Sequence, residues 1–339
     1  MPSDGDSRAV YAALGEAGWI GLHWPEWLGG RGISPLATLA VEERFGYHWL
    51  PLSGYLLSVK TIGNALLGCA SDDLQERFLP EIAAGRLMFC QGFSEPEAGS
   101  DLAALRARAR REGDRFVVSG HKIWTSSAAI ADWIYLAVRT DPAAARPHRG
   151  ISVLVADMAS PGIEVREIPT LGGGALYEVL LDEVEVPAEQ LVGELNGGWS
   201  VLMRTLDHER VTSEKVGVVL RVLDDLEAAV GTPGKRRELR ALRGEAHAAR
   251  LHGRRAVELL AAGRPAAAAA SMAKLSAAML VRRAADLGAR LLGPAALVEA
   301  GPGARVASLG RAAVGSTIAG GAAEIQRRVI ARMGLECPA

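Results

Sequence analysis

The sequence predicts an α+β protein in three consecutive parts: a helical unit over residues 1–86, a β unit over 87–195 and a helical bundle over 196–339. Two observations predict this. Apolar residues recur at helical spacing toward both ends, and in the middle the period shortens to strand-like runs parted by Gly, Pro and Asp turns. In the first unit, Arg8 to Ala17 ends at Gly18, Pro35 to Tyr47 carries apolar positions at helical spacing, and Asp72 to Ala84 stops at Gly85. The middle unit opens on the apolar segment Leu87-Met88-Phe89-Cys90 and continues through the runs 115–119, 133–138, 151–155 and 178–181. Helical spacing returns at Trp199, with long segments over 199–229, 236–261, 267–292 and 322–333, broken at 231–234, 263–265 and 293–303. The alanine run at 266–270 is assigned to ordered helix, because Ala is the best helix former and the run leads into Met272, Leu275, Met279 and Leu280.

Composition removes several classes of function. A chain of 339 residues can bury a sizeable core, and its 38 Lys+Arg against 39 Asp+Glu leave no net field to attract nucleic acid. The Arg-rich 235–255 stretch alternates with Ala, Leu and Glu, as a solvated helix face does. The N-terminus, Met1 to Asp6, is too polar and acidic for a secretory signal, and no apolar run reaches the roughly 18 residues of a membrane span. The expectation is a cytoplasmic protein with no membrane insertion. Cys69, Cys90 and Cys337 are odd in number and lack metal-ligand spacing, so reduced thiols and no metal site are expected.

Two polar motifs stand in the β unit. "SEPEAGSDLAA" (94–104) follows the buried-strand candidate, and "HKIWTSSA" (121–128) places an indole before three hydroxyls. That set suits a flat conjugated ring, which stacks on Trp124 while its heteroatoms meet the hydroxyls. A tryptophan beside small polar residues is also common as a half-buried structural residue, and these residues alone leave both readings open. The α–β–α order suggests a ligand held between the β unit and the C-terminal bundle.

Four motifs in register then carry a resemblance: "FSEPEAGSDL", "GHKIWTSSA", "GELNGGWSVLMRTLDHERV" and "AGGAAEIQRRVIARMGL". Across most of its length the chain resembles the flavin-dependent acyl-CoA dehydrogenase family. Its opening "GWIGLHWPEWLGGRG" (18–32) looks most like the bacterial branch acting on steroid side chains and branched acyl groups. The resemblance implies the three-domain fold of that family, noncovalent FAD, an acyl-CoA or acyl-carrier-protein thioester as substrate, and a homodimer or homotetramer, or else a heteromer. It implies that Phe93, Ser94, Trp124, Ser126 and Gln326 contact FAD, and that Ser100 and Arg210 lie on the substrate side. Glu95, Pro96 and Asp101 are expected to shape the turn.

Desaturating a thioester between Cα and Cβ requires removal of an α-proton, for which a carboxylate in an apolar pocket is suited. Most family members place that carboxylate just before the final Ile-Gln-Arg-type segment, which here is Gly320. A smaller set places it in a Leu-Asp-x-Glu-Arg segment on a helix, which here is Leu206-Asp207-His208-Glu209-Arg210. The resemblance therefore implies Glu209 as base, with Glu324 a distant second, and leaves the Gly320 backbone N–H as an oxyanion donor. The competing reading makes Glu209 a surface acid paired with a nearby base. Two family segments depart: the Arg-x-x-Phe-Gly region is replaced by 229–246, where Lys235, Arg236 or Arg237 could substitute, and the Gly-Gly-x-Gly turn by Leu292–Ala296. Two alternatives stand beside the dehydrogenase: a flavin-poor partner subunit of a heteromeric enzyme, and a flavin-dependent oxidase or oxygenase on a carrier-bound substrate.

Overall fold

The computed structural model describes residues 4–171, 176–229, 233–298, 301 and 303–337; at 4–5 and 233–235 it describes the backbone alone, so the Lys235 side chain falls outside the described residues. The chain opens with helices α1 (Asp4–Glu16), α2 (Pro35–Tyr47), α3 (Ser53–Tyr55), α4 (Asn64–Cys69) and α5 (Asp72–Ala83). α2 begins where Ser34 accepts the Leu36 N–H and a proline fills the first helical position. Between α3 and α4 the backbone is π-helical over Leu56–Gly63, so 53–69 runs as one helix with a widened middle. That widening carries Lys60 and Thr61, which line the cavity described below.

Eight strands follow: β1 (Phe89–Gly92), β2 (Arg108–Glu112), β3 (Arg115–Ser126), β4 (Trp133–Arg139), β5 (Ile151–Asp157), β6 (Ile163–Ile168), β7 (Leu176–Pro187) and β8 (Leu191–Val192). They form one mixed sheet in the order β6-β7-β3-β2-β4-β5-β8, with β1 pairing parallel to β4. β4 and β5 are buried along nearly their whole length because both faces are covered. Tyr135, Ala137, Val153 and Val155 join the core of the N-terminal helices, while Ile134, Leu136, Val138 and Leu154 join a second core within the sheet. The β3–β7 register slips between Lys122 and Thr125, a bulge in which Trp124 takes a left-handed φ of 57°.

The last part holds α6 (Gly198–Glu209), α7 (Ser213–Ala229), α8 (Pro233–Ala261), α9 (Ala267–Leu292), α10 (Gly303–Ser316) and α11 (Ala323–Val329), closed by a π-helical turn at Ile330–Gly334. The single helix expected over 199–229 is a misreading, since the chain breaks at 210–212. Val211 and Thr212 are β-branched, and Thr212 and Ser213 are helix-starting residues, so a new helix begins there although the apolar period continues. Residues 303–316, to which spacing assigns no element, form α10 around a narrow stripe of Val306, Leu309 and Ala313. α2 presses directly onto α7. A Cβ at Gly217 would lie 1.9 Å from the Glu43 carbonyl oxygen, and one at Gly46 2.0 Å from that of Glu214.

Candidate active site

Glu209 is the last residue of α6, and the break after it turns the backbone away and leaves the side chain free to project. The carboxylate enters a cavity of about 220 Å³ whose walls include Ser126, Thr212, Lys215, Lys274 and Gly320. Elements far apart in the chain meet there: the end of β3, the α6–α7 junction, α9 and the turn before α11. A Cβ at Gly320 would lie 3.3 Å from Glu209 Oε1, so a side-chain-free residue and the carboxylate occupy adjoining space. Glu209 forms no ion pair among the described residues; its one hydrogen bond comes from Gln91 Nε2, 3.4 Å from Oε2. Burial raises its carboxyl above the ordinary glutamate range, opposed by that bond and by the charges of Arg210, Lys215 and Lys274.

Gly320 takes a φ of +68°, the left-handed region in which glycine carries no penalty. Its N–H finds no acceptor among the described residues. Its carbonyl accepts from Gln326 Nε2 at 3.1 Å, and the next carbonyl, of Gly321, accepts from Gln326 at 3.1 Å and from Lys274 Nζ at 2.6 Å. Gln326 therefore fixes this turn, with its own Oε1 buried and unpartnered.

On the β side, the bulge leaves the Trp124 indole 56% exposed. A left-handed non-glycine residue costs roughly 1–2 kcal/mol, so the surrounding ladder holds Trp124 in that conformation. The hydroxyls of Thr125 and Ser127 on either side of Ser126 are buried without a partner. An open indole face beside orphaned hydroxyls fits a planar heteroaromatic ring, as FAD carries. The 94–101 loop is tied to this strand where the Ile123 N–H donates to the Ser94 carbonyl at 2.9 Å. Phe93 is buried against Tyr135, with ring centroids 6.0 Å apart, whereas Ser100 is exposed on the loop surface.

Glu95 is structural. It accepts the N–H groups of Arg106 and Ala107 at 2.6 and 2.9 Å and pairs with the fully buried Lys122 at 2.7 Å. Burial favours its neutral form, but Lys122 and the two donors outweigh that and hold the carboxyl below its usual range. Arg210 is buried and paired with Asp207 at 3.0 Å, leaving its Nε without a partner. Glu324 is exposed and pairs with Arg327 at 3.3 Å, away from the cavity lining. Arg236 and Arg237 are exposed.

Sequence reasoning missed Gln91, Lys60, Lys215 and Lys274. A lone lysine in the apolar run Leu56–Ile62 was an available signal; Lys215 and Lys274 sit in helices where any lysine resembles a solvated one. Lys60 is buried between Glu42 at 3.1 Å and Glu214 at 2.8 Å. A larger cavity of about 500 Å³ lies between α2, α7, α8 and α9 and shares Thr212 with the Glu209 cavity.

A helical–β–helical chain that closes a carboxylate-bearing cavity at the end of the strand bearing an open indole has the architecture of a flavoprotein dehydrogenase. Residues 3–86 match the acyl-CoA dehydrogenase N-terminal domain, 90–184 the middle domain and 196–335 the C-terminal domain. The chain belongs to the acyl-CoA dehydrogenase family, whose members are FAD-dependent oxidoreductases. It is 35% identical to acyl-CoA dehydrogenase FadE26 of Mycobacterium tuberculosis over 98% of this chain and 88% of that protein. Among solved structures, the Tcur3481-Tcur3483 steroid ACAD is 31% identical with a TM-score of 0.91, covering 99% of this chain and 90% of that one. The ChsE4-ChsE5 complex from Mycobacterium tuberculosis is 32% identical with a TM-score of 0.88, covering 99% and 91%. The likeness is thus to the bacterial, steroid-type branch. Among the described residues, no helix is long and apolar enough to cross a membrane.

Proposed function

We propose that this protein desaturates an acyl thioester between Cα and Cβ with Glu209 as the base. The supporting observation is the placement of Glu209 Oε1 in the space beside Gly320, inside the cavity that Ser126 also lines. Glu209 takes the α-proton from there. Burial raises its pKa, so its carboxylate is a stronger base than an exposed one. The free Gly320 N–H donates to the thioester oxygen as negative charge gathers on it, and Gln326 and Lys274 keep that turn in place. Phe93, Ser94, Trp124, Ser126 and Gln326 would hold FAD, and Ser100 and Arg210 would lie on the substrate side. When bound, FAD supplies the acceptor for the hydride leaving Cβ. The protein works as a homodimer or homotetramer, or as a heteromer with a paralogue; a two-component complex, ChsE4-ChsE5, is among the structures that it resembles. The presence of both base and cavity weighs against a purely accessory, flavin-poor subunit.

Anaerobic mixing of the FAD-loaded protein with a panel of acyl-CoA thioesters tests this. Glu209→Gln is expected to keep its flavin and to bleach it about 10²–10⁴-fold more slowly than the parent. Bleaching at the parent rate would remove Glu209 from the role.

A further inference from the structure

Two lysines beside the base have no part as acids or bases in that reaction. Lys60, the third cation at the cavity, is already neutralised by Glu42 and Glu214. Lys274 Nζ spends its one bond on a neutral carbonyl, that of Gly321. Lys215 lines the same cavity as Glu209, and its ammonium makes no hydrogen bond or ion pair among the described residues. The acids nearest it are Glu214, committed to Lys60, and Glu209, which lies beyond ion-pair distance. Lys215 is half-buried, and burial disfavours its charged form, which an anion in the cavity would restore. Tight pairing with Glu209 is no remedy, because it would lower the basicity the reaction needs. The missing negative charge therefore belongs to the ligand. Coenzyme phosphates lie a whole pantetheine arm away from the reacting carbons, and the thioester carbonyl is neutral. A carboxylate a few carbons beyond Cβ supplies a charge on the acyl side of the cavity.

Resting on the dehydrogenase reading, we propose that Lys215, supported by Lys274, binds a carboxylate at the distal end of the acyl group, so that the preferred substrate is a dicarboxylic monothioester.

Titration calorimetry of glutaryl-CoA and butyryl-CoA into the FAD-loaded Glu209→Gln protein tests this without turnover. Glutaryl-CoA is expected to bind about 10- to 100-fold more tightly, the range of a charge-assisted hydrogen bond. Adding Lys215→Met should reduce that ratio to near one, whereas Lys215→Arg should preserve it. Flavin absorbance of each variant reports intact folding. Equal affinities with Lys215 in place, or a ratio that survives Lys215→Met, would overturn the carboxylate site. If neither thioester binds, it is the acyl-CoA reading beneath it that fails. Retained flavin bleaching in Glu209→Gln would reject the base assignment, and the affinity comparison is then made on the FAD-free protein, where no thioester is oxidised.

Discussion

At the residue scale, the site is built from charges whose pairing differs sharply. Glu95–Lys122 and the Glu42–Lys60–Glu214 cluster are satisfied and serve the fold. Among the described residues, Glu209 has one long hydrogen bond and Lys215 has none. Because burial raises the folded-state pKa of Glu209 above its unfolded value, its favourable contribution is complete below the ordinary glutamate range and is lost as pH rises through the folded value. Glu209→Gln keeps the shape without the charge, so its Tm at pH 7 should exceed the parent's by about a degree or more, with the gap shrinking toward pH 4. A lower Tm at pH 7 would mean that Glu209 is paired after all. The same shift sets the sign of the kinetic profile: flavin reduction should rise as pH rises through a value above the ordinary glutamate range, since only the carboxylate takes a proton. Glu209 and Gly320 were legible in the sequence because each falls in a motif with a fixed register. Lys215 and Lys274 were not, since their environment is made by α6 and by the turn before α11.

At the scale of elements, three local irregularities position the site. The bulge in β3 opens the indole, the π-helical stretch brings Lys60 into reach of two acids, and the break at 210–212 frees the Glu209 side chain. Each interrupts a regular period, so a reading that extends periodicity passes over them, as it did across 199–229. Helices α2, α5 and α9 show no such interruption and follow their apolar spacing closely. The α2–α7 crossing sets where Glu42 and Glu214 meet Lys60, and it depends on backbone contact at Gly217. Gly217→Ala should push the helices apart and cost roughly 1–3 kcal/mol, read as a lower Tm. An unchanged Tm would show that the crossing is looser than its 1.9 Å Cβ approach implies.

At the scale of the whole molecule, residues from all three parts of the chain line one cavity. The C-terminal part leaves large apolar side chains in water, with Leu297 82%, Val314 67%, Ile318 61% and Leu335 71% exposed. Such exposure in one region is unusual for a free monomer. Light scattering of the purified protein should give at least twice the 35.7 kDa chain mass, alone or with a co-expressed paralogue. A monodisperse monomer under both conditions would exclude the oligomeric reading.

The sequence by itself determined the order of helical and strand-like parts, because periods of 3.6 and 2 are local properties of the chain. It also determined the family, and with it the pairing of Gly320 with Glu209, because motifs keep their order and spacing along a linear string. Only the tertiary structure decided which charges are neutralised and which face the cavity. Pairing depends on partners as distant as Lys60 and Glu214, and burial depends on what packs above a residue, neither of which a helix's own pattern contains.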